Sequence, residues 1–189
     1  MTDVGFCLFD TAIGRCGLAW SPVGVSAVQL PEPTDAGVRT RLRRRAGDAP
    51  EGAPPPDIAA WVTDIQALLA GEPRDLQHIK LDLGRTPPFH QRVYTVARTI
   101  PPGVTRTYGE IAAAVGDASA ARAVGQAMGK NPCPIIVPCH RVLAAGGKTG
   151  GFSAPGGVDT KMRMLTIERA RDAEPALFAE LPLMARRKR

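Results

Sequence analysis

Residues 131–141 read NPCPIIVPCHR and set one cysteine, Cys139, directly before His140 and Arg141. The apolar run at 135–137 predicts a short buried strand. The prolines on both sides of this run restrict the backbone, since proline fixes φ and biases the residue before it. A rigid loop that holds a thiol beside cationic side chains is how proteins make a reactive cysteine. A buried structural cysteine in a proline-rich turn is the alternative, and these residues alone leave it open.

The composition is typical of a globular protein. The chain has 189 residues, of which 44% are hydrophobic and 22% charged, enough for one domain or two small ones. We find no apolar stretch of about 18 residues and no secretory signal, so we expect a cytoplasmic protein without a membrane span. Reduced thiols and no zinc site are expected from the spacing of the four cysteines, Cys7, Cys16, Cys133 and Cys139.

The net charge of +6 is unevenly distributed. Residues 1–82 carry 8 Lys or Arg and 11 Asp or Glu, whereas residues 83–171 carry 12 and 4. The positive excess therefore lies in the segment that holds Cys139. Such a pattern is typical of a polyanion-binding lobe joined to a neutral or acidic one. A solvated basic surface would carry the same charge, so the charge alone does not distinguish it from a surface that binds a polyanion.

Residues 1–83 predict an N-terminal α/β lobe, here named the first lobe. Three apolar runs separated by turn residues predict an antiparallel meander: Val4–Phe9, Cys16–Trp20 and Val25–Leu30. Residues 31–56 contain several prolines and five arginines between positions 39 and 45. They predict an exposed connection, helical in part. Its arginines fit a solvated face better than a DNA contact.

A helix and a closing strand complete the predicted first lobe. Asp57 is the expected N-cap of a helix whose apolar face is made by Ile58, Trp61, Ile65, Leu68 and Leu69. Alternating apolar residues over Leu76–Leu83 predict a half-buried strand. Gly84–Pro88 contains two prolines and marks the change in charge balance, so we place the domain boundary there.

Residues 84–171 predict a mostly helical second lobe, and residues 172–189 predict a frayed basic tail. The first helix of the second lobe carries an apolar stripe from Phe89 to Ile100. A short strand is expected at Val142–Ala145, directly after the PCHR sequence.

Two short helices in this lobe have the spacing of a helix-turn-helix. Thr107 and Glu110 form a capping box that begins one of them. Ser119 is expected to cap the next, Ala120–Gly129. Small residues at the start of that helix suit a close approach to a DNA groove, with Arg122 as the reaching cation. Two alanine-rich helices packed on a core are the alternative.

The last main helix is expected from Asp159, as N-cap, to about Arg171. Glu168 borders its apolar side, and a carboxylate near a core needs a partner. His140 is a candidate partner. A surface ion pair of Glu168 with Arg169 or Arg171 has an equally suitable spacing.

Together these segments resemble the O6-alkylguanine-DNA alkyltransferases, also called methylated-DNA–protein-cysteine methyltransferases. The resemblance runs from Phe89 to Glu168 and rests on the order and spacing of several motifs. They are TYGE at 107–110, ARAVG at 121–125, NP at 131–132, VPCHRV at 137–142, and Gly151, Ser153, Lys161, Leu165 and Glu168. The resemblance implies an α+β fold, with a ribonuclease-H-like α/β lobe followed by a winged-helix-like DNA-binding and active-site domain.

The resemblance also implies a DNA-repair protein that acts once. Such a protein binds double-stranded DNA containing O6-alkylguanine through the minor groove and flips the damaged base into a pocket. The alkyl group then passes from guanine O6, or from O4 of an alkylthymine, to a cysteine as a permanent thioether. No cofactor is implied. Some members of the family bind zinc in the first lobe, but those ligands do not map onto Cys7, Cys16, His78 or His90, so we expect no metal. We expect a monomer, associated with the nucleoid if the source is bacterial.

Carried over residue by residue, the resemblance implies a role for each site residue. Cys139 is the nucleophile, His140 the base acting through a water, and Glu168 orients and charges His140. Arg122 fills the space left by the flipped base, and Tyr108 donates a hydrogen bond to the guanine ring. The other expected substrate or DNA contacts are Asn131 beside the cysteine, Ser153 near O6, Pro134 in the pocket wall, Ala120 and Ala121 against the groove, and Arg141.

Two positions depart from the family pattern. Phe152 stands where many members have tyrosine, which removes a hydroxyl. Residues 153–157, SAPGG, form a longer loop than the common Ser-Gly-Gly. The width of the pocket, and with it the range of alkyl groups, is therefore not predicted.

Three other functions fit parts of the sequence. Non-enzymatic relatives that bind alkylated DNA and recruit other repair factors usually lack the cysteine of the PCHR motif, which is present here as Cys139. A Cys-His hydrolase needs an oxyanion site, for which the sequence has no clear motif. A helix-turn-helix transcription regulator must read bases, and a small-residue helix in the minor groove reads few of them.

Overall fold

The first lobe begins with a three-stranded antiparallel sheet. The computed structural model describes residues 4–47, 49–153 and 156–170, so the predicted tail lies outside the described residues. The strands follow one another in sheet order: β1 (Gly5–Thr11), β2 (Gly14–Trp20) and β3 (Val25–Gln29). Leu18 in the central strand pairs with Cys7 on one side and Val28 on the other. The predicted meander is confirmed.

Helix α1 (Asp35–Ala46) corrects the prediction of an exposed connection over residues 31–56. Thr34 caps the helix through its side chain. Val38 and Leu42 are fully buried against the sheet, so the helix is part of the fold. The sequence hid this because two apolar residues one turn apart make the contact, while arginines occupy most of the outer face.

Helix α2 (Pro56–Leu69) lies where the sequence predicted a helix, but Asp57 is not its N-cap. The helix begins at Pro56, and proline is well suited to the first helical position because an N–H there has no partner in the helix. The predicted apolar face is buried, except that Trp61 is only partly covered.

The strand predicted at Leu76–Leu83 is wrong. This segment makes a single parallel bridge to the edge of β3, where Val25 N donates to Lys80 O and Asp82 N donates to Val25 O. Ile79 is buried at a turn before that bridge. The alternating apolar residues therefore reflect a buried turn and one bridge, and not a ladder of hydrogen bonds.

The described part of the second lobe consists of helices around a small parallel sheet. Its elements are α3 (Pro88–Arg98), β4 (Arg106–Thr107), α4 (Tyr108–Ala114), α5 (Ala121–Gly129), β5 (Val142–Leu143) and α6 (Gly157–Ile167). Strand β4 pairs in parallel with β5, and α4 packs against α5. The predicted first helix, the two short helices and the strand after PCHR are confirmed.

The capping box that begins α4 is also confirmed. Glu110 N donates to the Thr107 hydroxyl at 3.1 Å, and Thr107 N donates to the Glu110 carboxylate at 2.7 Å. The cap predicted at Ser119 is wrong, because its hydroxyl donates to Asp117 at 2.6 Å and α5 begins without a side-chain cap.

Both lobes contribute to the largest hydrophobic cluster of the described residues, which runs from the sheet of the first lobe to α3, α5 and the PCHR segment. Arg98 of α3 adds polar contacts, because its Nη2 donates to the carbonyls of Leu76, Gln77 and Ile79 at 3.2, 2.7 and 2.7 Å. The predicted α+β class is confirmed. None of the described helices is long and apolar enough to cross a membrane.

Candidate active site

Cys139 begins a short 3-10 helix, Cys139–Arg141, on the wall of a large cavity. The cavity has a volume of about 970 Å³ and is lined by residues of both lobes. This volume is at the upper end of the range in which proteins bind small molecules. Cys139 is only 8% exposed, so its thiol meets ligands inside the cavity and not on the outer surface.

The segment before Cys139 is a turn, and the strand predicted at 135–137 is wrong. Ile135 has a φ of 76°, which is rare for a β-branched residue. Val137 N donates to Cys133 O at 2.9 Å and closes the turn. The apolar run is buried as predicted, but the flanking prolines cannot donate to a ladder.

Asn131 holds this turn from inside. Its Nδ2 donates to Val137 O and its Oδ1 accepts from Cys133 N, both at 2.9 Å. Asn131 is 6% exposed and also lines the cavity. Its position beside the cysteine is the one that the resemblance implied.

His140, Glu168 and Arg141 form a buried hydrogen-bonded group behind Cys139. His140 Nε2 lies 2.9 Å from Glu168 Oε1. Arg141 donates from Nε to Oε2 and from Nη2 to Oε1 of the same carboxylate, both at 2.8 Å, which is the bidentate geometry. The side chain of Glu168 is 1% exposed, so the alternative of a surface ion pair is wrong.

The end of α6 places Glu168 in this group. Arg169 takes the left-handed conformation, with a φ of 56°, and Ala170 N donates to Leu165 O at 3.0 Å. These are the features of a Schellman motif, which ends a helix. The helix therefore stops at Ile167, short of the predicted end at about Arg171.

The start of α6 also differs from the prediction. Gly156, in the left-handed conformation, occupies the N-cap position, and Asp159 lies in the first turn.

Arg141 was predicted to contact substrate or DNA, and this prediction is wrong. The residue is 5% exposed, and its Nη1 donates to Ile100 O at 2.5 Å. A buried charge needs a partner, and the fork to Glu168 supplies it. Arg141 is therefore the charge partner of Glu168 and faces the core.

The contact with Glu168 assigns the proton of His140. A carboxylate can only accept, so Nε2 carries the hydrogen and Nδ1 the lone pair. Burial lowers the pKa of His140, although Glu168 opposes this shift, so the ring is neutral at pH 7. Nδ1 is buried and has no hydrogen-bond partner among the described residues. His140 can therefore accept a proton at Nδ1.

Opposing effects set the pKa of Cys139. Burial raises it above the ordinary value, and the nearby Asn131 amide and the charge of Lys161 offset this rise only in part. Lys161 is fully buried, and its Nζ donates to Val142 O at 2.7 Å and to Thr149 O at 2.6 Å. Burial lowers the pKa of Lys161 to about 8. Because its two acceptors are neutral carbonyls, its charge remains available to a Cys139 thiolate.

A Lys161→Met variant is expected to raise the apparent pKa of the Cys139 thiol by about one unit, because the buried positive charge is lost. The measurement is the rate of alkylation of Cys139 by iodoacetamide as a function of pH, with the modified peptide identified by mass. Lys148→Met removes the same charge from an exposed position and is the control. Equal midpoints in the two variants would contradict this role of Lys161.

The cavity brings together most of the residues predicted to bind substrate. Besides Cys139, the described residues that line it include Tyr108, Ala121, Arg122, Asn131, Pro134 and Ser153. Ala120 is not among these and packs against the core. The Arg122 side chain is exposed and has no hydrogen bond or ion pair among the described residues. Arg122 is therefore free to meet a ligand.

A glycine loop packs against the ring of Tyr108. Gly150 has a φ of 68°, and a Cβ there would lie 3.1 Å from the Tyr108 ring and hydroxyl. Ser153, further along this loop, donates from Oγ to Gly129 O at 3.0 Å. Burial raises the pKa of Tyr108, so its hydroxyl keeps its proton at neutral pH and can donate to a ligand.

Sequence reasoning missed the wall of the cavity that the first lobe supplies. This wall consists of Val28, Gln29, Leu30, Arg41 and Arg45. Together with Arg122, three arginines and no acidic residue line the cavity among the described residues. Arg41 is paired with Glu32, so Arg45 and Arg122 are the cations that can attract an anion. The arginines between positions 39 and 45 were a candidate DNA contact in the sequence, but a solvated face was favoured for them, and no motif marked Val28, Gln29 and Leu30.

Comparisons with known proteins agree with the geometry. A family model described as 6-O-methylguanine DNA methyltransferase, DNA binding domain, matches residues 88–170. A methylated-DNA–protein-cysteine methyltransferase from Mycolicibacterium paratuberculosis is 48% identical over 115 residues, covering 61% of this chain and 67% of the relative.

Solved structures match over most of the chain. The crystal structure of the Mycobacterium tuberculosis O6-methylguanine methyltransferase has a TM-score of 0.72 at 38% identity, covering 89% of this chain and 94% of that chain. A structure of the M. tuberculosis protein in complex with DNA has a TM-score of 0.71 at 37% identity, with the same coverage of 89% and 94%.

Proposed function

This chain belongs to the methylated-DNA–protein-cysteine methyltransferase family, and on that premise we propose that it repairs DNA by moving an alkyl group from O6 of a damaged guanine to Cys139. The observation that carries the proposal is the position of Cys139, on the wall of a positively charged cavity and next to the buried His140–Glu168 pair. The substrate is double-stranded DNA containing O6-alkylguanine. The complex of the M. tuberculosis relative with DNA supports this partner.

The transfer forms a carbon–sulfur bond and breaks the bond between the alkyl carbon and O6. The Cys139 thiol gives its proton to Nδ1 of His140, through a bridging water, as the sulfur attacks the alkyl carbon. The electron pair of the broken bond goes to the guanine, which then takes up the proton from His140. The Tyr108 hydroxyl donates a hydrogen bond to the guanine ring and so offsets the charge that develops there.

The product explains why each molecule acts once. A thioether on Cys139 has no good leaving group, so the sulfur is not regenerated. The DNA supplies the alkyl group and the chain supplies its acceptor, so the reaction requires no cofactor.

The target base must leave the helical stack to reach Cys139, since a thiol inside a cavity cannot approach O6 in a duplex. Ala121 at the start of α5 lets the helix approach the minor groove closely, and Arg122 extends from the same turn. We assign to Arg122 the space that the flipped base vacates.

An Arg122→Ala variant is expected to slow transfer from duplex DNA about tenfold and transfer from single-stranded DNA much less. The reason is that a single strand has no vacated stack to fill, so the cost of base extrusion is small. Lys130→Ala removes an equal charge from the other end of α5 and controls for the attraction of DNA. An equal loss on both substrates would contradict a role in base flipping.

The proposed function is tested by mass spectrometry. The protein is mixed with a duplex that carries one O6-methylguanine, and its intact mass and peptide map are taken. A gain of a single methyl group on Cys139, with no further gain at excess DNA, is expected. No gain in mass together with tight binding to the lesion would instead support a non-enzymatic relative that recruits other repair factors. Turnover of an ester or peptide would support a hydrolase. A sequence-specific footprint on DNA would support a transcription regulator.

The organisation of the chain follows from the same proposal. We place the domain boundary at Gly84–Pro88, which is supported by the start of the family match at residue 88. The protein acts as a monomer, because one chain contains the thiol, the base and the DNA-facing helix. It works in the cytoplasm, on the nucleoid if the source is bacterial, because its substrate is chromosomal DNA.

A further inference from the structure

The first lobe holds the turn next to Cys139 through one carbonyl. Val28 N, in β3, donates to Pro132 O at 2.9 Å. Arg45, near the end of α1, donates from Nη1 to the same oxygen and to Val28 O, both at 3.2 Å. Proline lacks an N–H, so this carbonyl is the group through which Pro132 can be held by hydrogen bonds.

Pro132 lies in the turn that precedes the Cys139 thiol. Asn131 directly precedes Pro132 and spans the turn, with Nδ2 donating to Val137 O and Oδ1 accepting from Cys133 N, both at 2.9 Å. Pro134, two residues later, lines the cavity. A shift of Pro132 would therefore move both the side chain that braces the turn before Cys139 and part of the cavity wall.

We propose that Arg45 is a positioning residue for the alkyl transfer, which holds the Asn131–Pro134 turn against Cys139 from the first lobe. This inference rests on the proposed function. A guanidinium suits the role because it is planar and always charged, and it carries several donors. Small displacements matter in such a site, since a misplacement of about 1 Å can slow a reaction about 100-fold.

Attraction of DNA by the charge of Arg45 is the competing role, because this residue also lines the cavity. Arg44 separates the two roles. It lies next to Arg45 on α1 and is exposed like Arg45, but it has no hydrogen bond or ion pair among the described residues. Replacing either arginine therefore removes one positive charge, whereas only the replacement of Arg45 also removes the hydrogen bonds to Pro132 O and Val28 O.

The test compares Arg45→Met, Arg45→Lys and Arg44→Met in the full chain, at a temperature where thermal unfolding shows all of them folded. With saturating duplex carrying one O6-methylguanine, we expect the single-turnover rate constant of Arg45→Met to fall about tenfold. Arg44→Met should stay within about twofold of the wild type, because Arg44 holds no other group by a hydrogen bond or ion pair among the described residues. Arg45→Lys should recover part of the rate, because an ammonium can still donate to a carbonyl.

Two further measurements separate positioning from binding. The Kd for the same duplex, measured with Cys139→Ala added to each variant, should change equally in the two methionine variants. The midpoint of Cys139 alkylation by iodoacetamide against pH should rise by about half a unit in Arg45→Met alone, because the turn shifts and Asn131, which lowers the pKa of the thiol, moves away from it. The other groups that act on or face the thiol stay unchanged: Lys161, His140, Tyr94 and Tyr108.

The inference is overturned if Arg45→Met keeps both the rate constant and the midpoint of the wild type, or if its loss is confined to Kd. Failure of the proposed function has a different signature. If the wild-type protein transfers no methyl group, the proposed function is wrong, and the midpoints of Arg45→Met and Arg44→Met still decide whether Arg45 positions the turn.

Discussion

A Cys139→Ala variant is expected to transfer no methyl group and to bind damaged duplex as tightly as the wild type. The substitution removes the sulfur that accepts the alkyl group, and among the described residues that line the cavity no other has a thiol. Alanine is smaller than cysteine, so it does not crowd a site that is 8% exposed. The measurements are intact mass after incubation with the lesion and the Kd for the lesion-containing duplex.

Cys133→Ala is the matched control for this variant. Cys133 is fully buried, and burial raises the pKa of its thiol to about 12, so it is not nucleophilic at neutral pH. We expect this variant to lose about 1 kcal/mol of stability but to accept one methyl group on Cys139. A methyl group found on Cys133, or on any residue of the Cys139→Ala variant, would contradict the assignment of the nucleophile.

Part of the reactive centre was predictable, because the PCHR and TYGE motifs carry the family resemblance and the contacts within each motif are local. Cys139 and His140 are neighbours in the sequence, and the capping box of Thr107 and Glu110 spans a single helical turn. The pairing of Glu168 with His140 was one of two open alternatives, since spacing along α6 does not reveal which side of the helix end faces the core. The Schellman motif at the end of α6 decides it.

The missed features depend on contacts distant in sequence. Helix α1 is stabilised by the sheet through Val38 and Leu42, a contact that its arginine-rich sequence does not indicate. The PCHR motif places Arg141 beside the nucleophile, but its bonds go to Glu168, 27 residues away, and to Ile100, 41 residues away. The contact between Arg45 and Pro132 spans 87 residues. Local patterns cannot show such pairings.

A Glu168→Gln variant is expected to lose about 3 kcal/mol of stability at neutral pH. Burial alone would raise the pKa of Glu168, but the charges and hydrogen bonds of His140 and Arg141 outweigh it and hold the pKa at about 2. A depression from the ordinary 4.5 is equivalent to about 3 kcal/mol. Leaving a buried charge such as Arg141 without its partner costs a similar amount, about 3–5 kcal/mol.

The pH dependence of stability has a definite sign. Because the folded pKa of Glu168 lies below the unfolded one, the stabilisation is complete above about pH 4.5 and is lost as the pH falls toward 2. The free energies of unfolding of the wild type and Glu168→Gln, measured in urea at a series of pH values, should therefore converge over this window. Parallel curves would show that the carboxylate contributes no charge-dependent stability.

Glu168→Gln is also expected to slow methyl transfer about 100-fold, the scale of general-base catalysis. The glutamine oxygen can still accept the Nε2 proton of His140, so the tautomer is kept, but the negative charge that stabilises an imidazolium is lost. Arg141→Met is the matched control, because it breaks the same buried group yet keeps the bond between His140 and Glu168. Equal losses of rate in the two variants would mean that Glu168 acts through stability alone. A normal rate in Glu168→Gln would remove its charge from the mechanism and leave the orientation of His140 as the property that the transfer needs.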